Sequence, residues 1–496
     1  MLTWIDWAIV ATYALGTIAL GAFYGRRQSS TREYFVGSGR MNPMLIGVSA
    51  FATLLSTISY LSMPGEALGK GPAWMANVLA LPFIFLTVGF VLLPVYMSRR
   101  VTSAYELLEE RLGLSVRLLG AGLFIVLRLA WMALLIYLTA SALSVMLGLG
   151  PASIPWIAAA AGFVAVFYTS VGGLRAVVVT DFAQSLLLYG GALLVIGMIS
   201  DDLGGFGWVP TTWNPMWDSQ PLFSSDWSTR VTISGTVLNY YVWYVATAGG
   251  DQTSVQRFMA TADERAARRA LAFQIAATTL TAVTLAFVGF ALLGYFSAYP
   301  ERLAAGMSLP ANADQTFPYF IASQLPPGVT GLVVAAMFAA AMSSVDSGVN
   351  SITAVVQTDL VERLGWGKQT AAGTLKWMAF GIGAVVVLAS TMMGAVPGNI
   401  TAVTTKTANL LTTPIFSLFF FALFVPFATP AGAWIGAVCG TATAVLIAFS
   451  GPIFGFTADG RDPVSFQWIA PASILVAFVT GCIVSRWLPG PRTRSS

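Results

Sequence analysis

The chain has 496 residues, of which 56% are hydrophobic and only 9% are charged, and its mean hydropathy is +0.76. This composition excludes a soluble globular protein and indicates a polytopic helical membrane protein embedded in a lipid bilayer. The sequence has no histidine, which excludes imidazole metal sites and histidine acid–base catalysis. The net charge of +4 comes from basic residues scattered over short loops, a distribution that does not indicate nucleic-acid binding.

Apolar segments of about 20 residues, the length that crosses a bilayer, predict an all-α fold with about 13 transmembrane helices. The first helix runs from Trp4 to Tyr24. The other predicted spans are residues 42–69, 74–97, 117–147, 154–171, 180–200, 231–258, 268–297, 329–356, 373–393, 403–425, 431–450 and 467–487.

Basic residues are concentrated in alternate loops between the predicted spans. These residues are Arg26, Arg27, Arg32, Arg40, Arg99, Arg100, Arg111, Arg117, Arg175, Arg257, Arg265, Arg268, Arg269, Arg363, Lys368, Arg492 and Arg494. The positive-inside rule places such loops in the cytoplasm. We therefore expect a multi-pass protein of the cell membrane, with its amino terminus outside and, after an odd number of spans, its carboxyl terminus in the cytoplasm.

Two predicted spans carry polar and helix-breaking residues near their centres. Residues 51–60 include four serine or threonine side chains, and residues 246–254 include Gly249 and Gly250 followed by Asp251. Interrupted helices at corresponding places in two halves of a chain indicate a transporter, because unwound carbonyls bind cations while half-helix ends face the solute. Four spans separate the two breaks, a spacing that fits two inverted five-helix repeats with discontinuous first helices.

The breaks divide one transmembrane transporter domain, residues 1–496, into parts. Residues 1–40 are predicted to form a leading helix and a cytoplasmic loop. The first repeat covers 41–200 and the second covers 231–425, and two trailing helices occupy 431–487.

Another apolar span, 329–356, becomes polar in its second half. Ser343, Ser347 and Asn350 follow i, i+4, i+7 spacing and share one helical face, with Asp346 close by. Hydroxyls and a carboxylate are hard oxygen ligands, which suit sodium better than a transition metal. The alternative is that these small residues only allow neighbouring helices to pack closely.

The sequence resembles the sodium:solute symporter family, and most of all its sialic acid and sugar transporter branches. The resemblance is carried by SVGGLRAVVVTDFAQ at 170–184, GDQTSVQR at 250–257 and the serine-rich run at 339–351, and it extends over essentially the whole chain. It implies a leucine-transporter-like core and a sodium ion as the coupling ion. The implied principal sodium site consists of backbone carbonyls of Ala52, Leu55 and Ala340 and the hydroxyls of Ser343 and Ser344.

Some members of this family hold a second sodium ion with an aspartate and the serine-rich helix. In this chain, that site would use Asp181, Ser343, Asp346 and Ser347. Asp346 stands where the sialic acid transporters carry serine. It either strengthens the second site or forms a salt bridge.

For the solute, the resemblance points to Leu54, Ser56, Ser59 and Asn77. The arginine that binds the carboxylate in the sialic acid transporters aligns with Trp131, and this departure counts against sialic acid as the solute. Trp131 is instead a candidate to stack on a sugar or another ring, as are Tyr60, Tyr137 and Tyr244, although aromatic residues in helix bundles more often belong to the core.

Arg128 lies one helical turn before Trp131, near the middle of the membrane. It has two interpretations of equal weight. The first is that it binds an acidic solute, and the second is that it pairs with Asp181, Asp346 or Asp251.

We therefore predict a sodium-coupled symporter, not an enzyme, that imports a small polar organic solute by alternating access. The alternatives are a sodium-independent facilitator or channel and, third, a sensor. Sugars, carboxylated sugars, amino acids and monocarboxylates all remain open as solutes, and the sequence does not predict the oligomeric state or the number of sodium ions.

Overall fold

The computed structural model describes residues 2–25, 34–35, 39–99, 101–218, 222–366, 372–393, 400–458 and 460–488. Within these ranges, all regular secondary structure is helical, as the composition predicts. Several basic residues used to predict the topology lie outside the described residues. They are Arg26, Arg27, Arg32, Arg100, Lys368, Arg492 and Arg494.

The longer helices follow one another along the chain with short connections. They are α1 (Trp4–Gly25), α2 (Pro43–Leu54), α3 (Thr57–Gly69), α4 (Pro72–Arg99), α5 (Glu106–Leu112), α6 (Leu114–Met146), α7 (Ile154–Asp202), α8 (Ile233–Gly250), α9 (Gln252–Met259), α10 (Glu264–Ala298), α11 (Ala313–Ser323), α12 (Val329–Glu362), α13 (Ala372–Thr391), α14 (Ile400–Phe424), α15 (Pro430–Ala448) and α16 (Ile469–Trp487).

In the described part of the chain, ten helices are long and apolar enough to cross a membrane, and the bent pair α2–α3 makes an eleventh span. The sequence predicts about thirteen. The two further predicted spans, 154–171 and 231–258, are also helical. The first has a short apolar helix, Pro151–Phe167, which is joined to the next span through a kink at Gly173, whose φ is +59°. The second is divided into α8 and α9 at Asp251.

The first break confirms the disruption predicted within residues 51–60. Helix α2 ends at Leu54, Leu55 and Ser56 adopt extended backbone angles, and α3 then leaves at 68° to α2. The Ser56 side chain accepts a hydrogen bond from the Ser59 N–H at 3.4 Å and so begins α3 as its N-cap. Carbonyl groups at this break therefore lack the helical partners that they would have in a continuous span.

The second break has the same form but a different environment. Asp251 has extended backbone angles, and its side chain accepts from the Thr253 N–H at 2.8 Å, which caps α9. The Tyr96 hydroxyl donates to the Gly249 carbonyl, and the Tyr105 hydroxyl donates to the Gly250 carbonyl at 3.1 Å. Because tyrosines already satisfy these carbonyls, the second break has less to offer a cation than the first.

Helix α12 is the most deeply buried candidate span and packs against α1, α2, α6 and α7.

The start of α12 is hydrogen-bonded to Asp6, a carboxylate in the otherwise apolar α1. Its Oδ1 accepts from the backbone N–H groups of Gly328 and Gly331, each at 2.8 Å. A carboxylate at a helix N-terminus satisfies orphan donors and opposes the positive end of the helix dipole.

Candidate functional site

The serine-rich face of α12 lies in the interior of the protein. Ser343, Ser344, Asp346 and Ser347 are each at most 1% exposed. Polar side chains at such depth must find partners within the protein or in a bound ligand. Their partners define two adjoining areas, one at the first helix break and the other around Asp181.

Ser344 connects α12 to the first break. Its hydroxyl donates to the carbonyl of Thr53 at 3.2 Å, and the Thr57 hydroxyl donates in the opposite direction to the Met337 carbonyl at 2.9 Å. These two hydrogen bonds hold the break and the middle of α12 side by side.

The three residues predicted to supply sodium-binding carbonyls belong to this same area. Ala52, Leu55 and Ala340 are all buried and share one apolar cluster. Ser344 bonds to Thr53, the residue after Ala52, whereas Ser343 donates to Asp181.

Asp181 is the centre of the second area. This carboxylate is fully buried and accepts from three side chains: the Ser49 hydroxyl at 2.5 Å, the Ser343 hydroxyl at 2.5 Å and the Arg257 guanidinium at 3.3 Å. Helices α2, α7, α9 and α12 each contribute one of these groups. Movement of any of these helices must therefore disturb a hydrogen bond to Asp181.

Arg257 extends this network to Ser347. Its Nε donates to the Ser49 hydroxyl at 3.0 Å, and another guanidinium nitrogen donates to the Ser347 hydroxyl. Ser347 in turn donates to Asp346 at 3.1 Å and shares a 2.9 Å hydrogen bond with Thr53. Two carboxylates and one guanidinium give this cluster a formal charge of −1.

The four residues predicted for a second sodium site, Asp181, Ser343, Asp346 and Ser347, are thus brought into one hydrogen-bonded cluster. Arg257 is the member that the sequence reasoning missed.

Arg257 was counted among the cytoplasmic loop charges, and that prediction is wrong, because the side chain is 1% exposed and paired with a buried carboxylate. Arg117, which was counted in the same way, is buried on α6 and lies 2.7 Å from Asp359. The signal that could have singled out Arg257 is its position in the segment 250–257, directly after a helix break.

Arg128 forms an ion pair with Asp251, one of the three partners considered for it. The two side chains are 8% and 6% exposed, and Asp251 uses its other carboxylate oxygen to cap α9. Arg128 thus fixes the second helix break to α6. It does not line the cavity described next.

A cavity of about 140 Å³ lies beside the first break and is bounded by α2, α3, α4, α6, α8, α10 and α14. Four residues predicted to contact the solute line it: Leu54, Ser59, Asn77 and Trp131. Ser56 does not line it, because its side chain is buried as the cap of α3. The volume is sufficient for a small organic molecule.

Several lining residues were not predicted from the sequence. Helix α8 contributes Asn239, Tyr240 and Trp243, and α14 contributes Asn409, whose amide donates to the Asn239 oxygen at 3.1 Å. Of the four aromatic residues considered for stacking, Trp131 and Tyr244 line the cavity, whereas Tyr60 and Tyr137 do not. An asparagine within an apolar span is itself a signal, since polar groups in membrane helices usually face the interior.

Residues 34–440 of the chain match the family model described as the sodium:solute symporter family. Among curated proteins, the sodium/sialic acid symporter SiaT of Proteus mirabilis is 30% identical over 73% of this chain and 72% of its own length. The sodium/sialic acid symporter NanT of Aliivibrio fischeri is 27% identical over 89% and 87% of the two chains. The human sodium-coupled monocarboxylate transporter 1 is 26% identical over 90% of this chain and 74% of its own length.

Two solved structures are similar to this one. The substrate-bound, outward-open state of a Na⁺-coupled sialic acid symporter has a TM-score of 0.84 and 26% identity, with 98% of each chain covered. Mhp1, a transporter of the nucleobase-cation-symport-1 family, has a TM-score of 0.54 and 12% identity over 91% of this chain and 94% of its own. The second likeness concerns the fold alone.

Proposed function

The chain belongs to the sodium:solute symporter family, and from this premise we propose which of its residues bind the ions and the solute. It is a sodium-coupled symporter of a small organic solute and not an enzyme. The sodium-independent facilitator considered above is set aside, because the matched family and relatives are sodium symporters.

The principal sodium ion would lie between the first break and α12. Its ligands would be the carbonyls of Ala52, Leu55 and Ala340 and the hydroxyls of Ser343 and Ser344. The observation that carries this proposal is the hydrogen bond from Ser344 to the Thr53 carbonyl, which brings α12 to an unwound segment. The Ser343 hydroxyl donates its hydrogen to Asp181, and its oxygen keeps lone pairs with which it would bind the ion.

A sodium ion at this position can couple ion binding to conformation. The break and α12 belong to different halves of the chain, so the ion would bind both halves only when they are correctly aligned. A ligand shifts a conformational equilibrium only through its different affinity for the two states, and an ion shared between two moving parts has such a difference.

A second cation site would be formed by Asp181, Ser343, Asp346 and Ser347. The burial of these four oxygen-bearing side chains in one hydrogen-bonded cluster supports this proposal, because hydroxyls and carboxylates are hard oxygen ligands that suit sodium.

The arrangement of the membrane spans is also a proposal. We infer two inverted repeats at 41–200 and 231–425, preceded by residues 1–40 and followed by helices at 431–487. The amino terminus would be outside and the carboxyl terminus in the cytoplasm, since the basic loops alternate along the chain.

The solute would bind in the cavity lined by Leu54, Ser59, Asn77 and Trp131. This cavity adjoins the first break, so the bound solute and the principal sodium ion would share one structural element. Ser56 would contribute by holding the start of α3, and Arg128 by pairing with Asp251. Sialic acid, named for two relatives, is disfavoured because Trp131 occupies the place of the arginine expected for its carboxylate.

Sodium binding can be tested before the solute is known. A ligand that binds only the folded state raises the apparent stability by RT ln(1 + [L]/Kd). We expect sodium chloride, but not potassium chloride at equal ionic strength, to raise the Tm of the purified protein. Equal stabilisation by the two salts would contradict a specific sodium site.

A further inference from the structure

The solute cavity is unusual in its electrostatic character. In the described part of the chain, none of the eighteen residues that line it carries a formal charge. Its polar groups are amides and hydroxyls, and its largest surfaces are aromatic rings. A charged solute group would therefore be desolvated in the cavity without an oppositely charged side chain to meet it.

The nearby charged residues are already used within the protein. Arg128 pairs with Asp251, and Arg257 pairs with Asp181. Neither arginine is among the residues that line the cavity.

Neutral hydrogen-bonding groups, by contrast, are abundant in the walls. The Asn409 carbonyl oxygen, the Trp243 indole N–H and the Tyr244 hydroxyl are buried and have no hydrogen-bond partner among the described residues. Asn77 and Asn239 add two further amides. A buried polar group without a partner is destabilising, and a ligand that supplies the missing partner relieves that cost.

Aromatic rings from several helices line the cavity. Trp131 lies on α6 and Trp74 on α4, whereas Tyr240, Trp243 and Tyr244 lie on α8. Flat rings bind the apolar face of another ring well and leave its edge free for hydrogen bonds. The arrangement suits a ring-shaped molecule with donors and acceptors on its rim.

We propose that the transported solute is an uncharged ring compound with hydroxyl or amide groups, such as a neutral monosaccharide or a cyclic or aromatic amide, and not a carboxylate. This proposal rests on the function proposed above, because it assumes that the cavity is the solute site. It also has an electrical consequence. With a neutral solute, the charge moved in each cycle equals the charge of the transported sodium ions.

The test uses pairs of compounds that differ mainly in a carboxylate. We would measure Tm in saturating sodium with galactose and galacturonate, nicotinamide and nicotinate, and benzamide and benzoate. We expect stabilisation by the neutral member of at least one pair, with an apparent affinity at least about tenfold higher than that of its carboxylate partner. Preference for the carboxylate members would overturn the proposal, as would the absence of binding by all six compounds.

A variant with an added charge sharpens the result. Trp131→Arg places a guanidinium in the cavity wall, so the protein should now bind the carboxylate of the responding pair more tightly than the neutral compound. Trp131→Gln removes the ring without adding charge and should weaken the binding of both compounds. If Trp131→Arg does not fold, Thr404→Lys supplies a cation from α14. An unchanged preference in a folded cationic variant would contradict the assignment of this cavity.

The proposed sodium site and the proposed solute class can be disproved independently of each other. If sodium alone stabilises the protein but only carboxylates bind, the inferred solute class is wrong and the sodium proposal stands. If neutral compounds bind but sodium has no effect on Tm or on their binding, the sodium proposal is wrong and the solute class stands.

Discussion

The cluster around Asp181 and the cavity proposed for the solute both adjoin the first helix break but are built on different principles. In the cluster, Asp181 receives three hydrogen bonds from the protein, two of them at 2.5 Å. In the cavity, Asn409, Trp243 and Tyr244 each keep a buried polar atom without a partner among the described residues. The first region is held together by its own side chains, and we propose that a ligand completes the second.

This difference predicts different responses to mutation. Removing a charged group from the cluster leaves its buried partner unpaired, so we expect a lower free energy of unfolding. Removing a group from the cavity wall takes away a partner that the solute would use, so we expect a lower affinity for the solute and a nearly unchanged free energy of unfolding.

The largest effect should follow Asp181→Asn. This change removes the carboxylate that accepts directly from the Arg257 guanidinium and leaves Asp346, which Arg257 reaches through Ser347. Breaking a buried pair in this way costs about 3–5 kcal/mol of unfolding free energy. Thermal or denaturant unfolding in detergent would measure it. The double variant Asp181→Asn/Arg257→Gln removes both charges and should recover part of the loss. If the single variant is as stable as the parent, Asp181 does not hold the cluster together.

Asp346→Ser should have a smaller effect than Asp181→Asn, and we expect it to change sodium binding. The change removes one of the two carboxylates of the proposed second site, so that a second sodium ion would lose a charged ligand. We expect sodium dependence of transport or binding to lose cooperativity, and sodium affinity to fall by about 1.5–3 kcal/mol, the scale of a lost charged partner. Ser351→Ala, which changes a buried serine of the same helix outside the proposed site, is the matched control. Unaltered cooperativity would assign Asp346 to a salt bridge only.

Asn239→Ala should affect the cavity and not the cluster. The loss of one neutral hydrogen bond is worth about 0.5–1.5 kcal/mol, or roughly 2- to 12-fold in solute affinity. Asn350→Ala provides the comparison, since Asn350 is also a buried asparagine but lies on α12 outside the cavity lining. Isothermal titration with the responding compound would separate them. An equal loss of affinity in both variants would mean that the effect is not local to the cavity.

The smallest effect should come from Glu109→Gln, in an ion-pair network outside the membrane spans. Glu109 accepts from Arg363 at 2.5 Å and from Arg117 at 2.8 Å, and hydrogen bonds from Arg363 lower its pKa to about 2 from an ordinary value of 4.5. Because Arg363 is 43% exposed, the pair is worth at most about 1 kcal/mol.

The sign of the pH dependence follows from this lowered pKa. The stability supplied by ionised Glu109 is fully present above pH 4.5 and is lost as the pH falls through about 2. Between pH 5 and 8 the contribution of Glu109 to Tm should therefore be complete and should not change with pH. A difference between the parent and Glu109→Gln that changes across this range would contradict the account.

The sequence predicted the parts of the site that are conspicuous within one helix. Serines and an aspartate in an apolar span stand out, and so do paired glycines followed by an acidic residue. Both breaks and the burial of Ser343 and Ser344 could be predicted from such local signals, whereas Asn77 was predicted from the resemblance to the family.

Contacts between distant parts of the chain could not be predicted in this way. Asp181 meets Ser343 across 162 residues and Asn239 meets Asn409 across 170. The sequence places Arg257 in a basic loop because its partner, Asp181, lies on a distant helix. Arg128 has three candidate partners because no local pattern distinguishes them. Which charged side chains pair with each other is decided by the packing of the helices. The same packing leaves the cavity without a charged side chain in its lining.

The central claim is that Ser343 and Ser344 bind the coupling ion. The most direct measurement is the half-saturating sodium concentration of the double variant Ser343→Ala/Ser344→Ala, normally expressed and folded. Alanine removes two ligand oxygens without weakening the helix. Each lost oxygen should cost about 1–3 kcal/mol of sodium binding, so the concentration should rise at least about 30-fold or sodium dependence should vanish. A double variant that keeps the parent's half-saturating concentration would place the ion elsewhere and leave these serines with a role in packing alone.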